Sequence, residues 1–127
     1  MILIDTSAWI DFFRGTGPLA EEVDRALDDG DAAICGPVQT ELRRGLRSPR
    51  ERAQVLLHLG GCPVLPEPAD LWNEAGELGF ALRPKGLTIK TLDLLIACYA
   101  LAHRVPLLTS DRDFKLMRAA GIPLLLV

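Results

Sequence analysis

Ile2-Leu3-Ile4-Asp5-Thr6-Ser7-Ala8-Trp9-Ile10-Asp11-Phe12-Phe13-Arg14 runs from an apolar triplet, through three small polar residues, into a segment of helical character that Gly15 stops. It reads as a strand feeding a helix. The same pattern returns at Pro106-Leu107-Leu108-Thr109-Ser110-Asp111, ahead of a helix over Arg112 to Ala120. Three more short apolar runs, Ala32 to Cys35, Pro63 to Leu65 and Pro123 to Val127, complete a set of five predicted strands. Helical spacing of apolar residues fills the intervals. One helix begins at Pro18 and ends at Asp29-Gly30, another begins at Gly36-Pro37, and Ser48-Pro49 caps a third that runs to Leu59. Ala69 to Leu82 and Thr91 to His103 follow. Short, almost wholly apolar strands alternating with helices predict a parallel sheet covered on both faces. The expected fold class is therefore α/β, doubly wound, an α/β/α sandwich around a central five-stranded parallel sheet.

With 127 residues, the chain is expected to form a single domain over 1–127, since one core serves up to about 150–200 residues. Nearly half of the residues are apolar (49%), enough to build that core without disulfides. The formal net charge of −3 argues against a protein that coats nucleic acid through broad electrostatics, so any such contact is local. Cys35, Cys62 and Cys98 form no CxxC or Cys/His pattern and sit in apolar surroundings, which fits a reducing, cytoplasmic setting. No signal-like N-terminus stands ahead of Ile2, and the longest apolar run, Leu94 to Ala102, falls short of the ~20 residues that span a bilayer. No membrane association is expected.

In an open parallel sheet, ligands bind beyond the carboxyl ends of the strands, where the strand order reverses. Asp5 follows the first strand and Asp111 the fourth; each also reads as a helix cap. Asp93 shares its helical face with Ile96, Ala97 and Ala100, a stripe of apolar residues, so its carboxylate is expected to be buried and in need of a partner. As an acid near a helix start it also reads as a dipole partner. Glu41, one turn into the helix after Pro37, follows the same logic beside Val38 and Leu42. Acids gathered without a lysine or histidine repel one another unless a cation joins them. An all-oxygen set suits Mg²⁺ or Mn²⁺, and such a site hydrolyses phosphodiesters. The helix starts at Thr6-Ser7 and Ser110-Asp111 add donors for a phosphate, with Ser7 as an auxiliary contact.

Together, Ile2-Leu3-Ile4-Asp5-Thr6-Ser7, Glu41 in an apolar helix, Asp93-Leu94-Leu95-Ile96-Ala97 and Leu107-Leu108-Thr109-Ser110-Asp111-Arg112-Asp113-Phe114 resemble a PIN domain over the whole chain, and more narrowly the VapC-type ribonuclease toxins. The resemblance implies a metal-dependent endoribonuclease in which Asp5, Glu41, Asp93 and Asp111 match the family's acidic quartet. Asp113 competes with Asp111 for the fourth place, and Asp111 is preferred as the ligand. It further implies an RNA substrate, homodimerisation, and a cognate VapB-type antitoxin that forms a heterotetramer or larger complex. The alternative is a PIN-like module that binds RNA or antitoxin without turnover. Arg43, Arg44, Arg47, Arg50 and Arg52 form the only basic concentration, which reads equally as a solvated helix face or an RNA-backbone contact. Trp9, Phe12 and Phe13 read as core or interface, His58 and His103 as structural or exposed. A haloacid dehalogenase-type phosphatase would need an Asp at position 7, which is Ser7, and a phospho-receiver domain would need a lysine after a fifth strand.

Overall fold

A computed structural model describes residues 1–127. Three strands, β1 (Ile2–Ile4), β2 (Ala32–Ala33) and β3 (Leu107–Leu108), form a parallel sheet in the order β2-β1-β3. Leu3 stands opposite both Ala33 and Leu107, and Ile4 opposite Leu108. The other two predicted strands shrink to single parallel bridges at the edges, Val64 against Ile34 and Leu126 against Leu107. Two causes act together. Pro63, Pro66 and Pro123 have no N–H to extend a ladder. The edges also face water, with Val64 54% and Leu125 56% exposed, so little burial rewards longer pairing. The lateral order, bridges included, is still that of a doubly wound sheet, with its reversal between β1 and β3.

Seven α-helices surround the sheet: α1 (Thr6–Arg14), α2 (Ala20–Asp28), α3 (Gly36–Arg44), α4 (Pro49–Leu59), α5 (Leu71–Leu82), α6 (Thr91–His103) and α7 (Arg112–Ala119). Ser48 caps α4 by accepting the Glu51 N–H at 3.1 Å, with Pro49 in the first turn as the sequence predicts. Gly15 ends α1 at φ 70°. Gly17, at φ 111°, leaves room for Asp11, whose carboxylate accepts the Leu19 N–H and so shapes the turn into α2.

The α6 helix departs from its expected stripe. Every residue from Asp93 to Ala100 is buried, so the helix is apolar on all sides and lies inside the molecule, packed on α5, α3 and α7. Gly79 of α5 permits that close approach, since a Cβ there would fall 2.9 Å from Leu94 Cδ1.

This topology fixes where the acids go. Helices that leave a parallel strand start at the sheet's carboxyl edge, as α1, α3 and α7 do. A helix that leads back into a strand runs the other way, so the first turn of α6, just before β3, lies at that same edge.

Candidate active site

Asp5 is 4% exposed and stands at the N-cap of α1, yet its carboxylate makes no capping bond. Its Oδ2 instead accepts two hydroxyls, Ser7 Oγ at 2.8 Å and Thr109 Oγ1 at 2.7 Å. The β1 and β3 junctions are thereby sewn together. Ser7 Oγ also accepts the Ser110 N–H at 3.0 Å, and Thr109 Oγ1 accepts the Asp111 N–H at 2.9 Å. Ser7, expected as a phosphate contact, has its hydroxyl engaged in this tie. Thr109 is the residue that sequence reasoning passed over. Its signal was present as the first polar side chain after an apolar strand, but its partner lies 104 residues away.

Asp111 caps α7, with Oδ1 accepting the Asp113 N–H at 2.9 Å. Capping and convergence prove compatible. Carboxylate oxygens of Asp93, Asp111 and Asp113 all lie within 4.8 Å of one another, so the structure brings both rival acids to Asp93. Asp5 and Glu41 lie outside that trio but close enough to act on it. Glu41 is half-buried and held from α1, where Thr6 Oγ1 donates to its Oε1 at 2.8 Å.

Asp93 occupies the most demanding position. It is 7% exposed, and its Oδ2 is buried with no hydrogen-bond partner. Burial, followed by the nearby charges of Asp111, Asp5, Asp113 and Glu41, pushes its pKa up to about 7. Burial also raises the Asp5 pKa, against the pull of the Thr109 and Ser7 hydroxyls. No cation of the chain relieves this repulsion, since the molecule's single ion pair joins the N-terminal ammonium to Asp31. A buried, orphaned carboxylate oxygen facing two further carboxylates is an environment that a hard divalent cation completes. The donor set fits Mg²⁺ or Mn²⁺.

All three cysteines are unpaired and buried, and burial raises each thiol, Cys35 to about 12, so none is a ready nucleophile. His103 Nε2 lies 2.8 Å from the Pro66 carbonyl, and His58 packs edge-on against Phe12 and Phe13. Trp9 is fully buried in the core.

The PIN domain family model matches residues 2–120. The chain belongs to the PIN-domain family. This PIN domain is 34% identical over 122 residues to proteins named VapC ribonuclease Mb1587 of Mycobacterium bovis and ribonuclease VapC11 of Mycobacterium tuberculosis, covering 92% of the chain and 91% of each relative. Among solved structures, it is similar to VapBC2 from Rickettsia felis bound to a promoter DNA fragment, with a TM-score of 0.78 and 24% identity over 100% of this chain and 98% of that one. It also matches VapBC-5 from Mycobacterium tuberculosis, with a TM-score of 0.66 and 26% identity over 98% and 97%. The expected α/β PIN fold is thus borne out, with the sheet reduced at its edges. No helix is long and apolar enough to cross a membrane.

Proposed function

We propose that this PIN domain is a divalent-metal-dependent endoribonuclease, the toxin of a VapBC-type toxin–antitoxin pair. The carrying observation is the buried Asp93 with its unpartnered Oδ2 beside Asp111 and Asp113. In this reading Asp93, Asp111 and Asp113 hold Mg²⁺ or Mn²⁺ directly. Asp5 and Glu41, fixed by Thr109, Ser7 and Thr6, complete the negative wall. Such an ion would supply Lewis acidity toward a phosphate oxygen and would lower the pKa of a water so that it can attack phosphorus as hydroxide. The chain's own contribution is placement: rigid carboxylates preorganise the charge, and the hydroxyl tie holds the two junctions in register. The 34% identity to proteins named ribonucleases supports RNA as substrate. Likeness to a VapBC toxin–antitoxin structure supports a VapB-type partner, and three free buried thiols fit a cytoplasmic home.

Purified protein is expected to cleave RNA with Mg²⁺ or Mn²⁺ and to stop on chelation. Asp93→Asn is expected to lose cleavage by about 100-fold or more while keeping its circular dichroism spectrum. Undiminished cleavage by that variant would overturn the assignment. A neighbouring small reading frame is expected to encode a protein that co-purifies with the chain and inhibits it.

A further inference from the structure

A groove of about 450 Å³ opens between α1, α3 and α4, with Glu41 of the acidic site in its wall. Two residues belong to both places: Thr6 and Glu41, joined by their hydrogen bond, form the wall that the groove shares with the acidic site. Further out, Ile10, Phe13 and Leu46 present apolar surface, and Arg14 and Arg47 stand at the rim. Both arginines are exposed and neither makes an ion pair; the Glu51 carboxylate on the same wall accepts the Arg47 backbone N–H, at 3.3 Å. Five of the twelve lining residues are hydrophobic, so the wall combines apolar surface with charged and polar side chains.

We infer that this groove is a nucleotide subsite: it seats the base of a nucleotide flanking the scissile phosphate of single-stranded RNA, while Arg14 and Arg47 hold the adjoining phosphates. The inference rests on the ribonuclease reading and extends it. On a chain of net charge −3, RNA cannot be held by general attraction, and a carboxylate wall repels its backbone. Unpaired guanidinium groups next to that wall supply the local attraction the substrate needs, and planar guanidinium forks suit phosphate oxygens. A base against Ile10, Phe13 and Leu46 adds apolar contact without demanding one sequence. The groove's junction with Glu41 sets the register, so that the next phosphate along the strand meets the acids.

The test uses full-length protein, a short single-stranded RNA of mixed sequence, and Arg14→Ala/Arg47→Ala as a double variant. In the metal-loaded enzyme the double variant is expected to raise KM about 10-fold, with kcat within about 2-fold of wild type. In an Asp93→Asn background that does not cleave, the slope of log affinity against log salt is expected to shrink by about 1.4, about 0.7 for each phosphate that an arginine no longer neutralises. On the otherwise unaltered chain, moving a single abasic nucleotide along the RNA is expected to weaken binding about 10-fold at one position only. Ile10→Ala should blunt that dip. An unchanged salt slope with a flat abasic scan overturns the subsite while leaving the ribonuclease reading intact. Loss of a protein partner's binding with RNA binding untouched overturns it in favour of a peptide groove. A wild-type chain that neither binds nor cleaves RNA overturns both.

Discussion

Two buried carboxylates share one acidic site and are treated in opposite ways. Asp5, at the carboxyl edge of the sheet, has its charge met by two hydroxyls, Ser7 and Thr109. Asp93, at the start of the innermost helix, has an oxygen met by nothing. Hydrogen bonds to a carboxylate favour its charged form, and burial without them favours its protonated form. Burial raises both pKa values, but at the sheet edge the two hydroxyls oppose it, whereas at the α6 start no hydrogen bond to Asp93 Oδ2 does. The unmet polar demand of the acidic site is concentrated in one residue.

The sharpest way to break this contrast is to neutralise each acid in chelator-treated protein. Asp93→Asn is expected to stabilise the metal-free fold by about 1–3 kcal/mol, since each unit of pKa displacement corresponds to about 1.4 kcal/mol and the chain relaxes part of it. Asp5→Ala is expected to destabilise it by a similar amount, because the buried Thr109 hydroxyl loses its acceptor. Urea unfolding of both variants gives the two signs directly, and equal signs would erase the distinction. Thr109→Val attacks the same tie from the other side, removing a donor to Asp5 and an acceptor for the Asp111 N–H, and is expected to cost about 1–3 kcal/mol.

A smaller effect of the Asp93 environment is read by pH. With a folded pKa near 7 against 3.8 for the free side chain, Asp93 binds more protons folded than unfolded across that interval. Stability of the metal-free protein should accordingly rise as pH falls from 8 to 6, by about 1 kcal/mol. Asp93→Asn should flatten this segment of the profile, and saturating Mg²⁺ should flatten it too. Thermal melts at the two pH values are sufficient. The smallest expected change concerns Asp111, which both caps and converges: Asp111→Ala should cost about 1 kcal/mol through the lost cap, and Asp111→Asn, which still caps, only a few tenths. Both substitutions should weaken Mn²⁺ binding alike in calorimetry, which would separate the cap from the ligand.

How much of this is legible in the sequence depends on whether the deciding interactions are local. The β1–α1 and β3–α7 junctions are readable because an apolar run followed by Asp, Thr and Ser carries strand, cap and helix in one short window. The α6 segment reads as a one-sided stripe; its burial on all sides comes from α3, α5 and α7 closing over it, which its own period does not encode. Apolar content predicts strands at 63–65 and 123–127, but their flanking prolines and exposed edges hold them to one bridge each. Among the acids, Asp93 announces itself by an apolar face. The choice between Asp111 and Asp113 cannot be read from spacing, because whether two residues so close in sequence both reach a third depends on how α7 meets α6. The Thr6–Glu41 and Thr109–Asp5 bonds span 35 and 104 residues, and no window in the sequence contains them.

That last span governs when the molecule comes into being as an active object. Asp5 leaves the ribosome 104 residues ahead of Thr109, with Asp111 and Asp113 later still, and the β1–β3 pairing that unites them is the longest-range closure in the sheet. A nascent chain still short of residue 111 has Asp93 with neither of its facing acids. The carboxylate cluster is thus timed by topology: it cannot assemble until the ribosome has read through β3 and into α7.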